Sequence, residues 1–260
     1  MNYFDSIIFG VVEGLTEFLP ISSTGHLILT AKALGADQTN FLKSFEIAIQ
    51  LGAILSVVVL YWRRLFMDAA TLKRVICAFV PTAILGLIFY KLIKNYLMAD
   101  SVVLLALAIG GAVIILFEIW RSRKMGTGAI SGGDGGNISY KNAFLIGLFQ
   151  AIAMIPGVSR AAATIIGGLA LGINRRTIVE FSFLLAVPTM LAATGYDLYK
   201  SAGEFSGAEF GVLAIGFIVS FLVAILAIKF FLKFIQKHTF TAFGVYRILA
   251  AAVFWILTLR

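Results

Sequence analysis

The sequence predicts an all-α polytopic membrane protein, with six transmembrane helices plus two re-entrant helix pairs arranged as an inverted-topology repeat. Three observations lead there. Hydrophobic residues make up 60% of the chain, charged residues only 13%, and mean hydropathy is +0.99, more apolar surface than a water-soluble domain can use. The apolar residues fall in long blocks separated by short polar gaps, the pattern of a bundle of membrane helices. Two regions interrupt that pattern with proline, glycine and hydroxyl residues.

Six blocks, roughly 45–62, 75–93, 101–121, 178–198, 208–232 and 243–259, meet the ~20-residue requirement for a span. Residues 3–34 instead hold two short apolar stretches broken by PISSTGH, and residues 141–172 hold two more broken by PGVSR. Each piece is too short to cross the hydrocarbon core. Broken backbone at membrane depth survives only where it lines a protein-walled cavity, so both regions read as re-entrant pairs. The opening MNYFDSIIFG has an acid and no basic residue, unlike a secretory signal, and is expected to stay in the mature protein.

Loops at 63–74, 121–141, 173–177 and 233–242 carry twice as many Lys and Arg as the opposite ends of the spans, which assigns them to the cytoplasm. Both termini then lie outside, and the two re-entrant pairs enter from opposite faces. One constant shift along the chain takes Pro20 onto Pro156, Ser23 onto Ser159 and Phe45 onto Phe181. The expectation is a single membrane domain, 1–260, of two repeats at approximately 1–121 and 141–260, joined by a Gly-rich cytoplasmic loop at 122–140. That loop lacks the Gly-Lys-Ser/Thr of a nucleotide phosphate loop. Inverted repeats of this kind hold their site near the midplane, between the halves.

The net charge of +8 fits cytoplasmic loops rather than nucleic acid, because no basic cluster with interleaved aromatics is present. A single cysteine, Cys77, excludes an intrachain disulfide and a cysteine-rich metal site.

The chemistry concentrates in the two broken regions. In VVEGLTEFLPISSTGHL, Glu13 and Glu17 are one helical turn apart and stack on one face. Two carboxylates in an apolar setting repel and are costly to desolvate. A shared divalent cation removes both costs, and a wet helix end is the plainer alternative. Ser22, Ser23 and Thr24 follow Pro20, where hydroxyls commonly cap a helix. His26, one turn into the next helix beside two acids, is a candidate proton-transfer residue.

The second region places Ser159 and Arg160 just before another short helix, whose N-terminal N–H groups suit phosphate. Arg160 can grip two phosphate oxygens, and at this depth it needs an anion, either Glu13 or Glu17 or a bound phosphate. Glu46 and Gln50 in FEIAIQLGAI extend a metal shell or pack between helices. Glu118 beside Arg121, and Glu180 beside Arg175 and Arg176, read as solvated membrane edges.

EGLTEFLPISSTGH at 13–26 and PGVSR at 156–160 resemble the two signature motifs of the bacterial undecaprenyl-pyrophosphate phosphatases associated with bacitracin resistance. FEIAIQLGAI at 45–54, SFLLAVPTMLAA at 182–193 and YRI at 246–248 resemble that family's weaker motifs, so the likeness covers essentially the whole chain. Ala161 stands where the family usually has a serine, while Thr164 matches.

The resemblance implies an inner-membrane hydrolase that converts undecaprenyl diphosphate to the monophosphate carrier lipid of cell-wall synthesis, with a site reached from the periplasmic side. It implies a divalent cation, Mg²⁺ or Ca²⁺, at Glu13 and Glu17. Catalysis would fall to Glu17, Ser23, His26 and Arg160, with substrate contacts at Ser22, Thr24, Gln50, Gly157, Ser159, Arg160 and Thr164. Ser23 with His26 as base is the favoured nucleophile arrangement, with His26 attacking directly or activating water as the others. The partners expected are the lipid diphosphate and membrane lipids, with a homodimer left open. A lipid flippase or secondary transporter built on the same inverted repeat is the rival reading.

Overall fold

In a computed structural model of the chain, residues 1–37, 39–92, 99–125, 138–201 and 210–258 are described. Among them every regular element is helical. In chain order these are α1 (Tyr3–Thr16), α2 (Ser23–Ala33), α3 (Asn40–Phe66), α4 (Ala69–Leu92), α5 (Asp100–Met125), α6 (Tyr140–Ala151), α7 (Arg160–Ala170), α8 (Arg175–Ser201), α9 (Phe210–Phe234) and α10 (Thr241–Thr258). A 3₁₀ turn, Ile152–Met154, follows α6. Most of the Gly-rich loop expected at 122–140 lies outside the described residues.

Five stretches are long and apolar enough to cross a membrane: Phe41–Phe66, Ala69–Phe89, Asp100–Lys124, Arg175–Gly195 and Phe210–Phe234. The sixth expected span is also a helix, α10, whose apolar stretch among the described residues is Thr241–Ile256. The helices of the two broken regions are short, as their sequence requires. Large apolar side chains such as Phe66, Leu87, Leu116 and Leu226 point outward, as they must where lipid replaces water.

α1 lies along α9, and α6 lies along α4. α3 packs on α8 and α9, α8 also packs on α4, and α5 pairs with α10. Small residues set these distances. A Cβ on Gly10 or Gly14 would lie 2.8 and 2.7 Å from the carbonyls of Gly216 and Ser220 on α9, and one on Gly147 of α6 would lie 2.0 Å from that of Ala78 on α4. Close backbone approach through glycine is how helices associate where the apolar surroundings supply no hydrophobic drive. The largest buried cluster runs from Phe18 and Ile21 through Phe183, Phe231 and Phe243.

The expectation of solvated edges at Glu118 and Glu180 is corrected. Glu118 is only 5% exposed and takes two bonds from Arg175 Nη2, at 2.9 and 3.1 Å, plus the Phe240 N–H. Arg175 is itself buried and lies over the Phe240 ring. Glu180 bonds Arg64 at 2.5 Å and Arg176 at 3.0 Å. Partners far along the chain make these acids pins between helices, and a paired charge can be buried where a lone one cannot.

Candidate active site

The site grows from two breaks in the backbone. α1 ends at Thr16, and Glu17 caps it with helical dihedrals, its N–H donating to the Glu13 carbonyl at 3.0 Å. The two acids therefore share a face, as their spacing predicts. After the turn, Ser22 adopts φ 73°, and its Oγ accepts from the Gly25 N–H at 3.5 Å to open α2. In the second break Gly157 adopts φ 93° and Ser159 φ 75°, and the Ser159 Oγ accepts from the Ala162 N–H at 3.2 Å to open α7. Left-handed backbone at a residue other than glycine costs about 1–3 kcal/mol and concentrates at functional sites. At Gly157 no side chain fits at all, since a Cβ would lie 2.5 Å from the Val103 carbonyl.

Between the breaks lies a cavity of about 300 Å³. Glu17, Ser22, Ser23, Thr24, Gln50, Gly157, Ser159 and Arg160, all expected at the site, line it. The Ser23 hydroxyl donates to Glu17 Oε2 at 2.5 Å. The other oxygen of that carboxylate, Oε1, faces Arg160 Nη2 at 3.4 Å. Arg160 Nη1 donates to the Ser182 carbonyl at 2.7 Å, while its Nε is buried with no hydrogen-bond partner. Arg160 is thus anchored on one edge, only loosely paired with Glu17, and keeps a spare donor. Thr164 sits behind it, sharing a hydrogen bond with the Ser182 Oγ at 2.6 Å and donating to the Arg160 carbonyl.

Three expected residues do not line the cavity: Glu13, His26, and Thr164, which is fully buried behind Arg160. Glu13 is fully buried, and neither of its carboxylate oxygens has a hydrogen-bond partner. His26 turns the other way. Its Nδ1 pairs with the Ser22 carbonyl at 2.7 Å, its Nε2 with the Tyr246 hydroxyl at 2.8 Å, and its ring stacks on Tyr246. A carbonyl only accepts, so Nδ1 carries the proton. The Ser23–His26 contact of the favoured arrangement is not formed, and the group next to the Ser23 hydroxyl is Glu17.

The sequence reading did not pick out Ser182, Tyr246, or the Gln150 side chain, whose Nε2 donates to Thr82 and Thr189 at the cavity wall. It quoted Arg247 only within YRI at 246–248 and gave it no role, although an arginine inside an apolar helix is a functional signal by default.

Glu13 also tests whether a cation fits. A buried carboxylate without a donor is costly, and a second one a turn away makes it more so. Among the described residues no three His, Cys, Asp or Glu side chains cluster at metal-binding distance. The donors at hand are two carboxylates, hydroxyls and the Gln50 amide, an all-oxygen set that would suit a hard cation. The residues fit such an ion.

Residues 6–253 match the model of the family described as bacitracin resistance protein BacA. The chain belongs to that family. It is 51% identical over 255 residues to the undecaprenyl-diphosphatase of Aquifex aeolicus, covering 98% of each chain. The undecaprenyl-diphosphatase of Persephonella marina is 51% identical over 259 residues, covering 100% of both, and that of Campylobacter jejuni is 49% identical over 258 residues, covering 99% of this chain and 95% of its own. With its apolar helices, family membership makes this an integral membrane protein.

Proposed function

We propose that the chain hydrolyses undecaprenyl diphosphate to undecaprenyl phosphate and inorganic phosphate. Relatives of that name match it over its full length. The observation that carries the reading is the Ser23 hydroxyl donating to Glu17 in a cavity walled on the other side by Arg160.

Ser23 Oγ attacks the terminal phosphorus as its proton passes to Glu17. The bond from that phosphorus to the bridging oxygen breaks, and undecaprenyl phosphate leaves. Water then cleaves the seryl phosphate, giving inorganic phosphate and restoring the hydroxyl. Arg160, which lines the cavity, and the N–H groups opening α7 at Ser159 neutralise charge developing on the phosphoryl oxygens. Ser22, Thr24, Gly157 and Gln50 line the space the headgroup would fill, and Thr164 holds Arg160 in place through Ser182. His26 orients Ser22 and ties the turn to α10. Glu13 and Glu17 would hold Mg²⁺ or Ca²⁺, which supplies further charge neutralisation when bound.

The architecture proposed around this site is a single domain of two inverted repeats, approximately 1–121 and 141–260, with six spans and two re-entrant pairs. The matching contacts of α1 with α9 and of α6 with α4, and the paired left-handed serines, support it. Six spans require α10 to cross as well, which its partnership with α5 supports. The excess of basic residues at one end of the spans supports an inner-membrane orientation with the site open to the periplasm.

Purified protein given undecaprenyl diphosphate in detergent should release phosphate and lose that activity on chelation. Transport or flipping in vesicles without phosphate release would favour the carrier reading instead.

A further inference from the structure

Arg247, on α10, is the largest fully buried side chain, 0% exposed, and no carboxylate among the described residues pairs with it. Backbone carbonyls surround it instead. Nε donates to Leu107 at 3.2 Å, Nη1 to Pro20 at 3.3 Å and Val158 at 2.9 Å, and Nη2 to Ala106 and Gly157 at 2.9 Å each. A guanidinium has five N–H donors, so all are in use and none remains for a substrate oxygen.

The acceptors come from three places. Pro20 belongs to the turn that carries Glu17 and Ser23, Gly157 and Val158 belong to the turn that carries Ser159 and Arg160, and Ala106 and Leu107 lie on α5. Breaking a helix at membrane depth leaves carbonyls that need donors, and here one side chain serves both breaks. α5 is shaped for it, since a Cβ on Gly110 would lie 2.2 Å from Arg247 Nη2.

We propose that Arg247 is a positioning residue for phosphate release: by holding the carbonyls of both turns in one planar fork, it sets the separation between the Glu17–Ser23 side of the cavity and Arg160. The proposal rests on the phosphatase reading of that cavity. A lysine has the charge but presents its donors from one point and cannot span the two turns.

The test uses two variants of the full chain in detergent, Arg247→Lys and Gly110→Ala. The alanine crowds the guanidinium from a position outside the polar cavity. Turnover is measured per folded molecule. A misplacement of reacting groups by an ångström costs on the order of 100-fold, so Arg247→Lys should lose about that in kcat, with KM within about threefold, and Gly110→Ala should lose about tenfold in the same direction. A purely structural role would lower thermal stability and leave kcat per folded molecule at the parental value.

A second measurement is independent of activity. Spin labels on cysteines replacing Leu15 and Ile152, in a Cys77→Ala background, flank the two turns and are both exposed. Their distance distribution should broaden in either variant. Parental kcat with an unchanged distribution overturns the proposal, as does a rise in KM alone, and Gly110→Ala decides if Arg247→Lys does not fold. A parental protein that releases no phosphate would defeat the phosphatase reading, while the distance measurement would still decide whether Arg247 sets the separation.

Discussion

In the first broken turn Ser22 sits at φ 73° ahead of α2, and in the second Ser159 sits at 75° ahead of α7, each capping its helix with its own hydroxyl. The backbone solution is the same in both, and the charges are opposite. The first turn brings Glu17 and Ser23, an acceptor and a hydroxyl. The second brings Arg160 and the positive end of α7. Neither turn is a reactive centre alone, because an ionised carboxylate repels a phosphate and a guanidinium has no nucleophile to offer. Meeting at the 3.4 Å contact of Glu17 with Arg160, beside a cavity of about 300 Å³, they would supply both halves of the proposed phosphoryl transfer.

The comparison can be broken most severely from the acidic side. Glu17→Gln removes the proton acceptor from Ser23 and one carboxylate from the proposed cation site, and phosphate release should fall at least the 10²–10⁴-fold associated with losing a general base. Ser23→Ala should fall about as far, and the double variant should be little worse, since residues acting as one unit are not additive. His26→Phe sharpens the point. With both ring nitrogens bonded away from the cavity, it should lose no more than about tenfold, and a loss matching that of Ser23→Ala would return the base to His26.

From the cationic side, Arg160→Lys keeps the charge and loses the fork. A loss on the order of 100-fold, about 2.7 kcal/mol of transition-state stabilisation, is expected in kcat/KM. Activity within about threefold of the parent would make Arg160 a structural partner of Glu17. Glu13→Gln addresses what balances the acidic turn. It should weaken activation by Mg²⁺ or Ca²⁺ by about 10–100-fold while leaving saturated turnover closer to parental, read from metal titrations of phosphate release.

The smallest perturbation tests whether the turns enter from opposite faces. Cysteines replacing Asp37, beside the first broken region, and Lys141, at the start of the second, in a Cys77→Ala background, should label unequally in intact cells. Position 37 should react with an impermeant reagent and position 141 should be protected. Equal labelling would end the inverted arrangement.

What the sequence made legible was local. Proline, glycine and serine in PISSTGH and PGVSR marked both breaks, and the spacing of Glu13 and Glu17 correctly placed them on one face, because the helix period depends on nothing distant. Pairings across the chain were not legible. His26 turns toward Tyr246, Arg160 leans on Ser182, and Glu118 is buried because Arg175 reaches it. Each partner is set by tertiary packing, which no local pattern records. Hence the histidine nearest Ser23 in sequence is not the group nearest its hydroxyl. Arg247 escaped for a related reason, since its partners are main-chain carbonyls that carry no residue signature.

The left-handed serines have an evolutionary consequence. Glycine at position 22 or 159 would relieve a backbone strain of about 1–3 kcal/mol, against a capping loss relative to serine of only a few tenths. Selection for heat tolerance alone would therefore drift toward glycine at these two sites. It would loosen the entry to α2 and α7 and erode the hold on Ser23 and Arg160. Thermal hardiness and turnover pull in opposite directions here, and a stabilised variant of this protein is best sought among the outward-facing helix surfaces instead.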